Sequence, residues 1–319
     1  MADSRIKKVL VTGGAGFVGL HAIDALLKRG YRVRVIDNFM TSRRENLFPY
    51  RKKIEVIEGD IRNHAAVRRA MRGVDAVFHF AAIRSVAKSV EDPFLAHEVN
   101  ATGTLVLLDE AHRAGVRHFI FTSTSAVYGA TPMRFQKEGG ELIPISPYGI
   151  AKLASEKYAA YYFLEKKFPT TSVRIFNVYG PRQNPESKYS LVIPGVLSKI
   201  LGGQSPVIDG DGKQSRDFIY IADVLDAIFK ILGNPKSFGK VYNLGSGRTV
   251  SIHRLATSLL KLCASRLKPV RGPRRPGDPD VTCADISKIF KELNWKPTVT
   301  LEQGLRKTVE WAQKEKNAF

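Results

Sequence analysis

Residues 12–19 read TGGAGFVG, and this stretch decides the fold. The apolar run KKVLVT (7–12) before it predicts a β-strand, and FVGLHAIDALLKRG (17–30) after it has a helical pattern closed by a glycine. Glycines at positions 13, 14, 16 and 19 allow a tight turn and let the backbone approach a pyrophosphate, which the N-terminus of the helix attracts. The order strand, glycine-rich turn and helix therefore predicts a dinucleotide-binding unit.

A carboxylate at the end of the next predicted strand indicates which dinucleotide is bound. The strand RVRVID (32–37) ends on Asp37, 18 residues after Gly19, where an acid can accept the ribose hydroxyls. A 2′-phosphate would be repelled there, so the sequence favours NAD over NADP. Arg43 and Arg44 follow closely and weaken this exclusion of NADP. A glycine turn without a bound dinucleotide is the alternative interpretation of the motif.

Strands and helices alternate through the first half of the chain, which predicts a doubly wound parallel sheet of the Rossmann type. The predicted strands after Asp37 lie at 53–60, 75–82, 118–123 and 171–177, and a helix is predicted at 63–72. We expect residues 1–178 to form this α/β domain, with an interwoven boundary because some later segments return to it. Residues 179–319 are expected to form mainly a smaller α/β lobe. Its predicted elements are helices near 190–202, 221–232, 285–293 and 301–316 and strands near 205–208 and 240–244, with an irregular stretch at 268–280.

The composition is that of an ordinary globular protein: 319 residues, 44% hydrophobic and 25% charged. No apolar run approaches the roughly 18 residues of a membrane span, so no membrane association is expected. Cys263 and Cys283 alone make no disulfide framework, and we expect a cytoplasmic, reduced protein. The seven histidines are scattered, and no His/Cys spacing predicts a metal site.

The net charge of +20 is unusual, and basic pairs occur throughout the chain. They are interleaved with acidic residues, which fits a solvated basic surface. The alternative is attraction of anionic ligands, from nucleotide sugars to nucleic acid. Charge alone does not separate these two interpretations.

A tyrosine and a lysine one helical turn apart suggest proton transfer. SPYGIAKLASEKYAAYYF (146–163) has a helical pattern after a Ser-Pro entry, so Tyr148 and Lys152 share a helix face. A phenol is a poor base because its ordinary pKa is about 10, and a nearby ammonium is expected to lower that pKa. Such a pair can deprotonate an alcohol during hydride transfer. The spacing alone is common on structural helices, but here it accompanies the glycine turn and TSTSAVYG (122–129).

Over nearly its whole length the chain resembles the extended short-chain dehydrogenases/reductases, most closely their UDP-hexose 4-epimerases. The motifs that carry the resemblance are TGGAGFVG, DN (37–38), GDIRN (59–63), HFAA (79–82), VNATGTLVLLDEA (99–111), TSTSAVYG, SPYGIAK (146–152), RIFNVYGPRQ (174–183), SRDFIYIADV (215–224), VYNLGSG (241–247) and RRPGDPD (274–280). Together they are highly specific for the superfamily and moderately specific for the reaction.

The resemblance implies a catalytic triad of Thr124, Tyr148 and Lys152. Thr124 would hydrogen-bond the reacting sugar oxygen, Tyr148 would take its proton, and Lys152 would hold the nicotinamide ribose. The expected NAD-binding residues are Gly13, Gly16, Phe17, Val18, Gly19, Asp37, Asn38, Asp60, Ile61, Phe80, Ala81, Ala82, Arg84, Asn100, Thr122, Tyr148 and Lys152. Asp60 and Ile61 would line the adenine pocket.

The resemblance also implies a nucleotide-sugar lobe. Arg216 and Arg275 would clamp the diphosphate, a task suited to guanidinium groups. The expected substrate-binding residues are Ser85, Thr124, Tyr148, Asn177, Leu191, Val207, Arg216, Arg275 and Asp278. Asp209 stands where relatives often carry an aromatic residue near uracil, which departs from the family pattern.

The residues after Thr124 discriminate between reactions. Relatives that dehydrate at C6 carry Asp-Glu there, and decarboxylating relatives carry a Glu at the second position. This chain has Ser125 and Ala126, which supply no carboxylate. The expected reaction is therefore NAD-dependent 4-epimerisation of a UDP-sugar, in which hydride leaves C4 and returns to it.

Three substrate series stay open at this point. UDP-glucose/UDP-galactose is the first. The second is UDP-GlcNAc/UDP-GalNAc, because Thr282 falls at the position that often limits the size of the C2 substituent in relatives, and a small residue there would admit an N-acetyl group. If the alignment is displaced by one residue, Cys283 occupies this position instead. Arg84 and Ser85 favour a carboxylate and hence a UDP-uronate epimerase.

The remaining expectations concern partners and competing functions. Another nucleotide-sugar enzyme of this fold is an alternative, and a non-catalytic relative that binds cofactor or RNA is a further one, although no nucleic acid is expected as a partner. The family implies a homodimer through helices at 99–114 and 148–166.

Overall fold

Short apolar runs form the strands of the main sheet, because parallel strands covered by helices on both faces bury nearly every side chain. All five residues of the first strand are buried. The computed structural model describes residues 6–183, 192–273 and 280–315. Within these ranges the strands are β1 (Lys8–Thr12), β2 (Arg32–Asp37), β3 (Ile54–Glu58), β4 (Ala76–His79), β5 (His118–Thr124), β6 (Phe135–Gln136), β7 (Thr170–Ile175), β8 (Val178–Tyr179), β9 (Val207–Asp209), β10 (Ser215–Arg216), β11 (Ile219–Tyr220), β12 (Val241–Leu244), β13 (Val250–Ser251), β14 (Val270–Gly272) and β15 (Val281–Ala284).

Helices connect these strands, and most begin at a side chain that accepts a backbone N–H, such as Asn63, Ser146 and Thr300. The α-helices are α1 (Phe17–Lys28), α2 (His64–Met71), α3 (Val86–Glu91), α4 (Pro93–His97), α5 (Gly103–Arg113), α6 (Pro147–Leu164), α7 (Val192–Leu201), α8 (Ile221–Ile231), α9 (Ile252–Leu262), α10 (Ser287–Leu293) and α11 (Leu301–Lys314). Short 3₁₀ turns lie at Arg44–Tyr50, Ser125–Val127 and Pro235–Ser237, and a π-helical turn at Glu98–Thr102.

The main sheet has seven parallel strands in the order β12-β7-β5-β4-β1-β2-β3. The direction of winding reverses between β1 and β4, so the crevice at their carboxyl ends is the expected ligand site of such a sheet. Helices cover both faces over two apolar clusters. The predicted doubly wound α/β fold is confirmed.

Residues beyond 178 contribute both to this sheet and to smaller ones. Strand β12 adds to the edge of the large sheet, where Val241 pairs with Ser172. A four-stranded sheet has the order β13-β10-β15-β6, and two-stranded pairs join β11 to β8 and β14 to β9. Arg216 therefore lies in the small sheet, paired with Thr282 on β15.

Two predictions about elements were wrong. The stretch 268–280, expected to be irregular, contains β14, because Val270 N–H donates to the carbonyl of Pro206 and pairs the strand with β9. The strand expected to reach residue 82 ends at His79, because the next two N–H groups, of Phe80 and Ala81, donate to Thr12 Oγ1 at 3.2 and 3.1 Å.

Among the described helices, none combines the length and the apolar character needed to cross a membrane.

Candidate active site

A cleft of about 790 Å³ opens at the carboxyl ends of β1, β2, β4 and β5, where the winding of the sheet reverses. Most predicted site residues meet in its wall. They are Gly13, Gly16, Phe17, Val18, Gly19, Asp37, Asn38, Asp60, Ile61, Phe80, Ala81, Ala82, Arg84, Thr122, Thr124, Tyr148, Lys152 and Asn177.

The glycines of the first turn have different physical roles. Gly13 has a φ of +67°, and a Cβ there would lie 2.7 Å from the backbone nitrogen of Ala81. A Cβ on Gly19 would collide with the carbonyl oxygen of Gly13. Gly16 has extended backbone angles that any residue adopts, and its Cβ would meet only the Gly13 oxygen, at 3.3 Å. The fold thus requires Gly13 and Gly19, whereas Gly16 keeps space open in the cleft.

The N-terminus of α1 suits a phosphate group. No side chain caps this helix, since its N-cap is Gly16. The first N–H groups and the positive end of the helix dipole therefore remain available to an anion in the cleft. This cradle fits the pyrophosphate of a dinucleotide.

Asp37 closes the ribose end of the cleft at the last residue of β2. Its carboxylate accepts backbone N–H groups of Ala15 at 3.0 Å and Phe39 at 2.9 Å, and the hydroxyl of Ser42 at 3.1 Å. Oδ1 accepts two of these donors and Oδ2 accepts one, so Oδ2 keeps the capacity to accept a ribose hydroxyl. Arg44 is engaged by Glu58 at 2.6 and 2.7 Å, which ties up one of the two arginines that could have favoured a 2′-phosphate.

Asn38, Asp60 and Ile61 form the next part of the wall. Asn38 donates to Asp60 Oδ2 at 2.9 Å, and Arg62 donates to both oxygens of that carboxylate at 3.0 and 2.9 Å. The Arg62 guanidinium lowers the pKa of Asp60 to about 2. Asp60 is therefore a fixed anion that positions Asn38.

The three predicted catalytic side chains come from two elements that meet at the inner end of the cleft. Thr124 is the last residue of β5, while Tyr148 and Lys152 lie on the first turns of α6. The Tyr148 and Thr124 hydroxyls share a hydrogen bond. Lys152 Nζ donates to the backbone carbonyl of Thr122 at 2.6 Å and lies 4.6 Å from the centre of the Phe121 ring.

Burial controls the protonation of this pair, which corrects one expectation from the sequence. Burial raises the pKa of Tyr148, and the hydrogen bond from Thr124 and the charge of Arg84 oppose that rise. The sequence predicted that the Lys152 ammonium would lower the pKa of Tyr148. In the structure this ammonium donates to the carbonyl of Thr122 instead. Burial also lowers the pKa of Lys152 to about 7, against the opposing charge of Glu156. The triad is thus assembled with a neutral phenol.

One buried hydroxyl in this region lacks a partner. Thr122 Oγ1 is inaccessible to solvent and makes no hydrogen bond, although the residue lines the cleft. An orphaned polar atom costs about 1–3 kcal/mol unless a ligand satisfies it. Thr122, the cradle at Gly16 and the carboxylate of Asp37 together fit a bound dinucleotide.

Two residues predicted on the cofactor side and beside the sugar, Asn100 and Ser85, are not in the cleft wall. Asn100 is fully buried. Its Oδ1 accepts the N–H of Ile83 at 2.9 Å, and its Nδ2 donates to the carbonyl of Ile83 at 3.0 Å. It therefore supports the loop that carries Arg84, and its predicted place beside the cofactor stays a prediction. Ser85 accepts the N–H of Lys88 and caps α3, so its hydroxyl is used in the helix start.

The predicted substrate residues of the second lobe are only partly brought together. Asn177 lies in the cleft wall and donates to the carbonyl of Asp217 at 2.8 Å, next to Arg216. Arg216 is buried in the small sheet, and Val207 is 53% exposed on β9; neither lines the cleft. Leu191, Arg275 and Asp278 lie outside the described residues.

Sequence reasoning missed a contact that closes the outer side of the cleft. Arg182 Nη1 donates to Asp24 at 2.8 Å and to the Tyr50 hydroxyl at 2.9 Å, and Tyr50 also donates to Asp24 at 2.8 Å. Tyr50 and Arg182 line the cleft, as does Trp311 on α11. No local pattern pairs these residues, because Arg182 is separated from Tyr50 by 132 positions and from Asp24 by 158.

A histidine and two acids lie close together outside the cleft. Ligand atoms of His64, Asp109 and Glu110 are within 4.8 Å of one another. Arg68 binds Glu110 at 2.9 Å and Arg113 binds Asp109 at 2.8 Å. Both carboxylates are used in ion pairs, and we assign no metal to this group.

Comparison with known proteins decides the family. The GDP-mannose 4,6 dehydratase family matches residues 10–308. The chain belongs to the extended short-chain dehydrogenases/reductases. A dTDP-D-glucose 4,6-dehydratase from Mus musculus is 35% identical over 97% of this chain and 89% of its own length.

Solved structures of this superfamily match almost the whole chain. The Thermotoga maritima UDP-glucose 4-epimerase with UDP-glucose is 37% identical, with a TM-score of 0.91 over 96% of this chain and 99% of its own. A UDP-N-acetylglucosamine 4-epimerase from Methanobrevibacter ruminantium with UDP-N-acetylmuramic acid is 36% identical, with a TM-score of 0.92 over 99% and 100%. Other solved relatives, 29–34% identical, contain NAD and include an epimerase and a dehydratase. The relatives are epimerases, dehydratases and decarboxylases, and this chain is an enzyme of their superfamily.

Proposed function

We propose that this enzyme is an NAD-dependent 4-epimerase of UDP-sugars. UDP-glucose and UDP-galactose are the first substrate pair, and UDP-GlcNAc and UDP-GalNAc are the second. The observation that carries the proposal is the chemistry of the inner end of the cleft. There Thr124, Tyr148 and Lys152 supply a proton-transfer group, and among the described residues the positions that follow Thr124 bring no carboxylate to it.

The acidic residues of the cleft wall lie elsewhere. Within the described part of the chain they are Asp37, Glu45, Asp60 and Glu315, which flank the cofactor side or the outer rim. The positions next to Thr124 are Ser125 and Ala126, both in the wall. Elimination of water needs an acid and a base beside the sugar, whereas epimerisation needs one proton acceptor that later returns the proton. The wall therefore supports epimerisation over dehydration.

The proposed roles of the triad are those that the family resemblance implies, and its geometry supports them. Thr124 is hydrogen-bonded to Tyr148 and would bind the C4 oxygen of the sugar beside it. Tyr148 takes the proton of that hydroxyl as a 4-keto sugar forms, and returns it after the sugar has turned over. Lys152, anchored on the carbonyl of Thr122, lines the same part of the cleft and would hold the nicotinamide ribose. Proton transfer of this kind contributes about 10²–10⁴ to the rate.

The cofactor is NAD, which supplies hydride acceptance and return when bound. Gly16 leaves room for its pyrophosphate, Asp37 is placed for its ribose, and the buried Thr122 hydroxyl is free to bind it. We assign the binding of NAD mainly to residues 1–178 and that of the nucleotide sugar mainly to residues 179–319. UDP-sugar is the proposed small-molecule partner, and solved relatives with UDP-glucose support this choice.

The register of the small sheet bears on which residue would lie near the C2 substituent. Thr282 pairs with Arg216 across parallel strands and is partly exposed. Cys283 points to the opposite face, is buried, and its N–H donates to Gln136 at 2.7 Å. Because successive side chains of a strand face opposite sides, Thr282 and not Cys283 is the candidate for the position near the C2 substituent.

Arg84 supports a second candidate, a UDP-uronate 4-epimerase. Its guanidinium lines the cleft and acts on Tyr148 through its charge. Within the described ranges no acidic side chain forms an ion pair with Arg84. A guanidinium without an acidic partner suits a carboxylate at C6 of the sugar.

An apolar surface supports a homodimer. Ile150, Tyr158, Tyr161 and Leu164 are exposed on α6 and fall within one face of that helix. Phe94 on the neighbouring α4 is 80% exposed. A contiguous apolar surface of this kind is typical of an interface. We propose a second copy of this chain as its occupant, as the family resemblance implies.

Isotope incorporation separates the proposed reaction from dehydration. The protein is incubated with UDP-glucose in D₂O and the sugar nucleotide is analysed by mass spectrometry. After transfer back to H₂O, which restores the hydroxyl hydrogens, epimerisation gives a C4 epimer of unchanged mass, because hydride returns to C4 and no carbon-bound hydrogen is exchanged. Loss of water with deuterium uptake into the sugar would instead identify a dehydratase and contradict the proposal.

A further inference from the structure

An ion pair lies buried directly behind the proposed catalytic residues. Glu156 is on α6 one helical turn after Lys152, and Arg174 is on β7. Arg174 donates to both oxygens of Glu156, at 2.7 Å from Nη2 to Oε2 and 3.0 Å from Nε to Oε1. Their side chains are 4% and 3% exposed. Burying two charges is costly, and such pairs are weak evidence for stability alone.

The same carboxylate is connected to the strand that carries the reaction centre. The Ser123 hydroxyl donates to Glu156 Oε1. Ser123 lies between Thr122, whose carbonyl binds Lys152, and Thr124, whose hydroxyl binds Tyr148. Glu156 therefore joins the end of β5 to the helix that presents Tyr148 and Lys152.

We propose that Glu156 is a positioning residue of this reaction: it fixes β5 against α6 through Ser123 and places a negative charge one turn behind Lys152, which favours the protonated form of that lysine. The proposal rests on the proposed function, since it concerns the same triad. Arg174 holds Glu156 in place, and it is fixed in turn by the Tyr128 hydroxyl, to which it donates at 3.0 Å.

Among the described groups around Lys152, Glu156 is the anion that affects the pKa of this lysine. Burial lowers the pKa of Lys152 to about 7, and Glu156 is the charge that opposes this change. From β4, His79 also faces Lys152 but is neutral, because burial lowers its pKa and Thr12 and Thr104 hydrogen-bond its two ring nitrogens. From β7, Arg174 is compensated by Glu156 itself.

Replacement of Glu156 by Gln tests the charge while keeping the shape of the side chain. The readout is the titration of lysine ε-methylene groups by NMR in the NAD-loaded protein, with Lys152 assigned by loss of its signal in Lys152→Met. We expect the midpoint of Lys152 to lie about one pH unit lower in Glu156→Gln than in the wild type. In an active enzyme, the alkaline limb of the pH–rate profile moves in the same direction.

Glu110→Gln is the matched control, because Glu110 is also a buried carboxylate bound to an arginine, Arg68, but lies outside the cleft. We expect its Lys152 midpoint to equal that of the wild type. An unchanged midpoint in folded Glu156→Gln would overturn the proposal, as would an equal change in Glu110→Gln.

A second variant keeps the test decisive where Glu156→Gln fails to fold. Glu156→Gln combined with Arg174→Met removes both buried charges, which proteins often tolerate. The Lys152 midpoint is then expected to fall, though less than in the single variant, and no fall would overturn the proposal. The titration does not need turnover, so a wild type without epimerase activity would contradict the proposed function while leaving this inference testable.

Discussion

Lys152 donates a hydrogen bond of 2.6 Å from Nζ to the backbone carbonyl of Thr122, which fixes the ammonium to the end of β5. The charge is fully buried, and burial lowers the pKa of Lys152 from 10.5 to about 7. This contact fixes where the ammonium lies, and its burial is what makes the stability of the protein depend on pH.

Lys152→Met tests the role of the ammonium in catalysis. We expect epimerase activity to fall on the order of 10²-fold or more, because the variant loses the group proposed to hold the nicotinamide ribose in place beside Tyr148. Thermal stability should not fall, since an apolar side chain of similar length replaces a buried charge. Activity within tenfold of the wild type would contradict the assigned role.

The same variant tests the lowered pKa of Lys152. Between pH 7 and 10.5 the folded protein has lost this proton and the unfolded chain binds it, so the unfolding free energy of the wild type rises with pH in this window. Relative to Lys152→Met, the rise is at most about 1.4 kcal/mol per pH unit. Urea unfolding at pH 7.5, 8.5 and 9.5 measures it, and parallel pH dependences would show that the pKa is not lowered.

Thr122→Val tests whether the orphaned hydroxyl belongs to the cofactor site. Without cofactor, the variant should be at least as stable as the wild type, because no hydrogen bond is lost. NAD affinity, measured by calorimetry, should fall about 5- to 30-fold. Thr171→Val is the control: its hydroxyl is bonded to His118 and Ser237, so stability should fall by about 1–3 kcal/mol. Unchanged NAD affinity in Thr122→Val would show that the Thr122 hydroxyl does not contribute to NAD binding.

Gly16→Ala and Gly19→Ala distinguish a glycine that is needed for cofactor binding from one that is needed for folding. A Cβ on Gly16 fits the backbone but occupies the cradle, so we expect a melting temperature close to that of the wild type and a loss of NAD binding. A Cβ on Gly19 collides with the Gly13 carbonyl, so that variant should be destabilised by about 1–3 kcal/mol even without NAD. Calorimetry with and without NAD measures both, and equal destabilisation of the two variants would contradict the distinction.

Phe94→Glu tests the proposed dimer surface. A charge on this exposed apolar residue should convert the protein from a dimer to a monomer of 35.5 kDa in sedimentation velocity. Phe290→Glu is the matched control, because Phe290 is 48% exposed on α10, away from α4 and α6. A wild-type protein that sediments as a monomer would contradict the proposed homodimer.

Local sequence patterns predicted the parts of the site that local structure determines. The strand, turn and helix around Gly13–Gly19, the position of Asp37 and the shared face of Tyr148 and Lys152 all follow from short-range spacing. The doubly wound parallel sheet follows from the alternation of strands and helices and from the right-handed crossover between parallel strands. These features need no knowledge of distant contacts.

The remaining features depend on contacts between distant residues. The role of Asn100 is set by the backbone of Ile83, and β14 exists only because it pairs with β9. The direction of the Tyr148 pKa depends on how deeply the phenol is buried, which spacing does not reveal. Glu156 was within reach of sequence reasoning, as it follows Lys152 by one turn, but its partner Arg174 comes from another strand.

The most direct test of the central claim is proton NMR of the sugar C4 configuration. The protein as purified, with its NAD content measured, is incubated separately with UDP-galactose, UDP-GalNAc and UDP-galacturonate and no added reductant. The account predicts that the gluco partner of at least UDP-galactose appears while the amount of NAD stays constant. No conversion of any of the three by protein that contains NAD would contradict it.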